Sequence, residues 1–289
     1  MLNKIKLFLN MIKFEHTLFA LPFAYMGALL GGMVDNGHLP SWAQLGWITL
    51  AMIGARSAAM GLNRLIDRAI DGRNPRTAMR AIPAGLLAAK EVILFVIVSF
   101  ALLFVAASQL DRLAVQLLPI AVFFLVFYSY TKRFTWLCHL ILGFTIALAP
   151  LGGWVAVTGQ MNGTALLFYA TVALWTAGFD IIYACQDYEF DRQHGLYSIP
   201  SRFGIARALR TAKLLHVVTA AGFLALLFVT ELSWFYLAGT IIAGAILFYE
   251  HHLVSPHDLS KTNTAFFTMN GVLSIVVFMF TLLDLVVLR

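Results

Sequence analysis

Charge is what this chain has least of. Asp, Glu, Lys and Arg make up only 12% of its 289 residues, against 61% hydrophobic, so solvated groups are too few to cover a globular surface. That balance excludes an ordinary soluble enzyme. Cysteine is nearly absent. Cys138 and Cys185 supply neither a disulfide framework nor a metal–thiolate cluster. No basic stripe interleaved with aromatic residues occurs, so the net charge of +6 is not a nucleic-acid footprint and no nucleic-acid partner is expected. A cleavable signal peptide is not expected either. Lys4, Lys6 and Lys13 interrupt MLNKIKLFLNMIKFEH, and no small-residue cleavage site follows.

What is present is apolar length. Runs of about 20 residues, enough to cross a bilayer as helices, recur at 17–34, 42–63, 87–108, 112–130, 136–158, 164–186, 209–230, 233–250 and 264–286. The expected fold is an all-α polytopic membrane protein of nine transmembrane helices in one domain, 1–289. Residues 1–16 read as a basic amphipathic helix lying in the interface with membrane lipid. Lys and Arg crowd alternate connections: after the second span Arg64, Arg68, Arg73, Arg76, Arg80 and Lys90, after the fourth Lys132 and Arg133, after the sixth Arg192, Arg202, Arg207, Arg210 and Lys213. The opposite connections hold Arg112, with Arg289 at the C-terminus. The positive-inside rule therefore sets the N-terminus in the cytoplasm and the C-terminus outside.

The two long connections, 64–86 and 187–208, are both cytoplasmic, and both open on paired carboxylates: Asp67 and Asp71, then Asp187 and Asp191. Each pair is four residues apart, one face of a helix. Each connection also carries a proline and a glycine, at Pro83 and Gly85 and at Pro200 and Gly204. This is a faint repeat of four spans plus four, with one left over, and such halves commonly enclose a central site. The expected cavity opens to the cytoplasmic side. Crowded carboxylates repel unless a cation lies between them. Hard oxygen ligands of this kind suit Mg²⁺, which keeps room for substrate phosphates. Arg68, Arg73, Arg76, Lys132 and Arg133 are candidates for those phosphates, and Tyr128 and Tyr130 for further hydrogen bonds.

Arg56 lies inside the second span, two turns before Asn63, and an intramembrane Arg faces a cavity or a partner. Asp180, equally deep, is read either as the partner of Arg56 or as the group that orients an acceptor hydroxyl. Asn263 and Asn270 on the last helix are read as cavity residues or as interhelical hydrogen-bond donors. His251, His252 and His257 read as a solvated loop, since no matching Cys or spaced His supports zinc.

At these residues the chain resembles the UbiA superfamily of intramembrane aromatic prenyltransferases. The first signature of that family reads here as Asn63, Asp67 and Asp71, with Arg64 in an often acidic place. Arg76-Thr77-Ala78-Met79-Arg80-Ala81-Ile82-Pro83-Ala84-Gly85 follows. The second, Tyr-x-x-x-Asp-x-x-x-Asp, reads Tyr183, Asp187 and Asp191. The stretch from Tyr128 to Lys132 and Arg133 resembles the connection after the family's fourth helix. Within the family, the segments FEHTLFALPFAY, ARSAAMGLNRLIDRAIDGRNPRTA and YACQDYEFDRQHG are most similar to two groups: 4-hydroxybenzoate polyprenyltransferase of ubiquinone synthesis, and the prenyltransferase MqnP of menaquinone synthesis, whose acceptor is 1,4-dihydroxy-6-naphthoate. Glu15-His16 and Cys185-Gln186 lean to the second.

The resemblance implies a cell inner membrane enzyme that moves a polyprenyl group from its diphosphate to an aromatic hydroxy acid. It implies Mg²⁺ held by Asp67, Asp71, Asp187 and Asp191, with Asn63 on metal or phosphate. Arg68, Arg76, Lys132 and Arg133 would meet the leaving diphosphate, and Arg56 the acceptor carboxylate. The competing expectation is a secondary transporter with an acidic cation-coupled site, which shares spans and half-repeats but has no need of two Asp pairs at one face. The alcohol phosphatidyltransferases also use repeated Asp, but packed into one stretch.

Overall fold

Every apolar run forms a helix, because backbone groups in hydrocarbon have no partners but one another. The computed structural model describes residues 2–12 and 17–287; Lys13, Glu15, His16 and Arg289 lie outside the described residues. The helices are α1 (Leu2–Ile12), α2 (Thr17–Gly31), α3 (Trp42–Arg73), α4 (Ala89–Ser108), α5 (Arg112–Thr131), α6 (Cys138–Thr158), α7 (Gly163–Ala184), α8 (Tyr188–Gln193), α9 (Ile199–Phe203), α10 (Ile205–Val229), α11 (Trp234–Glu250) and α12 (Asn270–Val287). Wide π turns extend α2 over Gly32–Asn36 and lead into α12 over Thr264–Met269. Among the described residues there is no strand. Seven helices, counted with such extensions, are long and apolar enough to cross a membrane; α11 is apolar but shorter, and α2 has 15 residues before its π turn.

Helix starts carry their own chemistry. Ser41 and Gln44 form a reciprocal capping box on α3, and the Asn162 side chain accepts from Ala165 N to start α7. In the packing, α3 lies on α4, α7 lies on both α6 and α10, and α2 and α6 pack on each other. The α2–α6 contact is backbone on backbone. A Cβ at Gly27 would stand 2.0 Å from Pro150 O, and one at Gly153 2.1 Å from Ala24 O. Small residues permit such an approach where the hydrophobic effect does not drive helix association. Phe23, Trp154, Phe168 and Phe223 fill the core around this contact. Leu94, Ile97, Phe104 and Phe228 point outward as exposed apolar groups, the pattern of a lipid-facing surface.

Two boundaries and the packing of the N-terminal helix differ from expectation. The helix of the second span runs past 63: α3 continues to Arg73, so Asn63, Asp67 and Asp71 are helical and the non-helical connection begins at Asn74. Leu65 packs inward along that extension against Met11, Leu87, Val92 and Val96, and this burial carries the helix past its charged residues. The connection 187–208 is likewise mostly helical, as α8, α9 and the start of α10, with Gly204 at φ 84° turning the chain between the last two. Finally, α1 is more than an interfacial helix. Met11 and Ile12 are buried in the α3–α4 cluster, Lys4 pairs with Glu91, and Leu7, Asn10 and Met11 line the central cavity.

Candidate active site

The cavity holds about 1180 Å³ between the two halves. Much of its wall is apolar, from residues such as Leu118, Phe124, Leu142 and Ile146, and the two acidic motifs converge on its polar part. The volume suits a large hydrocarbon ligand with one charged end.

The helical spacing of α3 sets Asn63, Asp67 and Asp71 in one row. Asp67 is nearly sealed, with its side chain 2% exposed. Asn63 Nδ2 (3.1 Å) and Lys132 Nζ (2.6 Å) donate to its Oδ2, and Arg133 donates to Oδ1 at 2.9 Å. Arg80 donates to both oxygens of Asp71 at 2.8 Å. On the opposite side, Asn74 Nδ2 and Arg76 Nε each reach Asp187 Oδ1 at 2.9 Å, and a second Arg76 nitrogen pairs with Oδ2. The remaining Arg76 nitrogen donates to the Tyr183 hydroxyl at 2.8 Å. Asp187 and its hydrogen bonds hold the Arg76 guanidinium charged, raising its pKa against the cost of burial. Asp191 has the weakest support: among the described residues only Ser198 Oγ donates to its carboxylate, at 3.1 Å. Burial, then the neighbouring Asp187 charge, pushes its carboxyl up to about 6.

Among the described residues no three His, Cys, Asp or Glu side chains lie close enough to hold a metal ion. Asp67, Asp71 and Asp187 face cationic side chains instead, which is how a low-dielectric site neutralises them. The donor set still fits Mg²⁺, which takes hard oxygen ligands, only one or two of them carboxylates, and substrate phosphate for the rest. The strain between Asp187 and Asp191 is the kind a divalent cation relieves. Arg64, Arg76, Arg80 and Lys132 all line the cavity. With Arg133 they leave the polar end rich in positive charge, suited to a polyanion.

The other expected residues divide. Arg56 lines the cavity, and its buried Nε has no hydrogen-bond partner among the described residues. Asp180 is not its partner: His139 Nδ1 lies 2.6 Å from Asp180 Oδ2. Tyr128 lines the cavity but donates its hydroxyl to Ala59 O at 3.1 Å. Tyr130 is exposed, with Arg133 over its ring at 5.5 Å. Arg68 is exposed and donates to Leu65 O of its own helix at 2.9 Å. One residue beyond Asp67, it is turned about 100° from the cavity row. Arg73 is exposed as well. Asn263 is exposed, whereas Asn270 lines the cavity and donates to Glu250 Oε1 at 3.2 Å. His252 and His257 are exposed, but His251 Nε2 lies 3.0 Å from Nδ1 of buried His216, so it is not simply a loop residue.

Sequence reasoning gave no role to Asn74, Arg80, His139 or Ser198. Arg80 stands nine residues past Asp71 in a run already noted for its arginines, and that signal was available. His139 is a lone histidine in an apolar span, and only the packing of α6 on α7 brings it to Asp180.

The UbiA prenyltransferase family matches residues 21–272. A 4-hydroxybenzoate octaprenyltransferase from Vibrio atlanticus is 30% identical over 234 residues, 81% of this chain and 82% of that one. One from Saccharophagus degradans is 29% identical over 247 residues, 85% and 82% of the two chains. Among solved structures, the apo form of a UbiA homolog from Aeropyrum pernix K1 has a TM-score of 0.85 at 32% identity, covering 93% of this chain and 98% of that chain. A UbiA homolog from Archaeoglobus fulgidus bound to GPP and Mg²⁺ shares the fold, with a TM-score of 0.77 at 20% identity over 96% and 99% of the chains. A match that takes in both Asp motifs and nearly the whole bundle displaces the transporter expectation: this integral membrane chain belongs to the UbiA prenyltransferase family.

Proposed function

We propose that this enzyme transfers a polyprenyl group from its diphosphate to an aromatic hydroxy acid, 4-hydroxybenzoate or 1,4-dihydroxy-6-naphthoate, in ubiquinone or menaquinone synthesis. The observation that carries the reading is the cavity itself, with its apolar walls and its two Asp pairs set among Arg and Lys. The names of the relatives support the first acceptor, and the GPP and Mg²⁺ bound to the Archaeoglobus homolog support the donor and the ion.

In this reading Asp67, Asp71, Asp187 and Asp191 hold Mg²⁺, which supplies charge neutralisation on the leaving diphosphate. The chain's own residues do the rest. Arg76, Arg80 and Lys132 leave their carboxylates for phosphate oxygens, trading one anion for another. Arg64 adds positive charge at the cavity wall, and Asn63 contacts metal or phosphate. Arg133 stays behind Asp67 as its support, and Arg68 has no part. Tyr183 gives up its bond from Arg76 and turns to the substrate, while the Tyr128 ring shapes the wall. The apolar walls take the prenyl chain and keep water from the allylic cation, which it would otherwise capture. Arg56, with its unsatisfied Nε, receives the acceptor carboxylate, and Asp180 receives its hydroxyl. The whole chain works as one nine-span unit in a bacterial inner membrane. Its N-terminus and site face the cytoplasm, its C-terminus faces outward, and the 74–88 connection and the α8–α9 segment cover the site.

The test is purified protein with geranyl diphosphate, Mg²⁺ and each acceptor, with products read by mass spectrometry. Prenylated product from one acceptor, lost on chelation and in Asp67→Ala and Asp191→Ala, is expected. A folded wild type that prenylates neither acceptor overturns the assignment.

A further inference from the structure

Among the buried titratable side chains that the mechanism above leaves unused, His139 stands in the cavity wall. His139, 3% exposed, opens α6 and lines the cavity beside Asp180. Both its nitrogens are engaged. The backbone N–H of Ile199 donates to Nε2 at 3.3 Å, which leaves the ring proton on Nδ1. Nδ1 then donates to Asp180 Oδ2 at 2.6 Å. The other Asp180 oxygen accepts from no side chain or backbone donor among the described residues, and the carboxylate is 21% exposed within the cavity wall. Along α7 and the 3₁₀ turn Cys185–Asp187 that continues it, Asp180, Tyr183 and Asp187 succeed one another at three- and four-residue steps and all line the cavity. Asp180 thus lies one helical face along from the diphosphate end.

A second observation ties His139 to that end. The three residues 197–199 are held at each position. Tyr197 N–H donates to Lys132 O at 2.8 Å, Ser198 Oγ to Asp191 at 3.1 Å, and Ile199 N–H to His139. Lys132 and Asp191 belong to the diphosphate end, so one short segment sets the position of both ends.

We infer that His139 is a positioning residue for acceptor activation: it locks Asp180 so that the free oxygen meets the acceptor hydroxyl, in register with the diphosphate through residues 197–199. The inference rests on the prenyl-transfer reading above. The allylic C–O bond breaks with its electron pair leaving on the diphosphate, and the ring carbon ortho to the hydroxyl forms the new C–C bond. The hydroxyl proton moves to Asp180 as that bond forms. The ring carbon then loses its own proton to the departing diphosphate while Asp180 returns its proton to the oxygen, so Asp180 ends as it began. A carboxylate free to rotate would hold this geometry only part of the time, and small misplacements are costly in such steps.

The test is a double-mutant cycle on the full-length enzyme in lipid, with His139→Leu, Asp180→Asn and the pair, and with His139→Gln as the conservative variant. Separate kinetics are run for acceptor and for geranyl diphosphate. Each single variant is expected to lower acceptor kcat/KM by about 10²-fold, the usual scale for a general base, with the KM for geranyl diphosphate within about twofold of wild type. The double variant should be no worse than Asp180→Asn alone, within about threefold, because the histidine acts only through the carboxylate. His139→Gln, whose amide offers one donor and one acceptor, should recover most of the rate. Losses that multiply in the double variant, or a geranyl diphosphate KM that moves as far as the acceptor's, overturn the inference and leave the function standing. A wild type that prenylates no acceptor removes both.

Discussion

Arg80 gives the sharpest physical test of how the site manages its charge. Its guanidinium holds both oxygens of Asp71 at 2.8 Å, with the arginine side chain 27% and the aspartate 5% exposed. A divalent cation must displace that pair before it can use Asp71. Paired charge-assisted hydrogen bonds of this kind are worth roughly 1.5–3 kcal/mol each in full burial. Partial exposure of the arginine and the neighbouring cations bring the pair down to about 1–2 kcal/mol. Arg80→Met removes the competitor and keeps the aliphatic stem. Mg²⁺ or Mn²⁺ alone should then bind about 5–30-fold more tightly, the factor that 1–2 kcal/mol corresponds to. Prenyl transfer should fall in the same variant, because the leaving diphosphate has lost a cation. Calorimetric titration of metal into wild type and variant in lipid nanodiscs, without diphosphate, reads the first effect, and steady-state turnover reads the second. Unchanged or weaker metal binding in Arg80→Met would refute the exchange of arginine for metal at Asp71.

Three further outcomes follow from the geometry. Asp191, raised to about 6, is protonated below that pH and must be ionised to hold a cation. Mg²⁺ affinity should therefore weaken by up to about tenfold per unit as pH falls below 6 and level off above it, measured by the Mg²⁺ dependence of turnover from pH 5 to 8. Arg68→Ala should leave kcat/KM within about twofold, since the side chain is exposed and, among the described residues, bonded only to Leu65 O; a tenfold loss would return Arg68 to the site. Gly153→Ala drives a Cβ to 2.1 Å from Ala24 O, and overpacking of about 1–3 kcal/mol should lower the thermal midpoint in detergent by several degrees.

Much of this protein is local and was open to reading along the chain. Apolar run length determined the helices, because an apolar stretch in lipid has only its own backbone for hydrogen bonds. The four-residue spacing of Asp67 and Asp71 determined that both face one way, since helical periodicity needs no knowledge of neighbours. The motifs around Asn63 and Tyr183 were enough to indicate the family that the comparisons establish. Where α3 stops was not local: ten residues rich in Arg and Asp look like a loop until α1 and α4 bury Leu65 beside them.

Partnerships between charges belong wholly to the tertiary structure. Asn74 meets Asp187 across 113 positions of sequence, and His139, not Arg56, takes Asp180 across 41. Arg68 and Arg76 look alike in the chain, yet one faces outward and the other bridges two halves of the bundle. The motif positions determined that cations and carboxylates would lie near one another in the chain. Only the packing of α3 on α4, α6 on α7 and α7 on α10 decided which cation meets which carboxylate, because a charge pair is set by distances of a few ångströms that no spacing along the chain records.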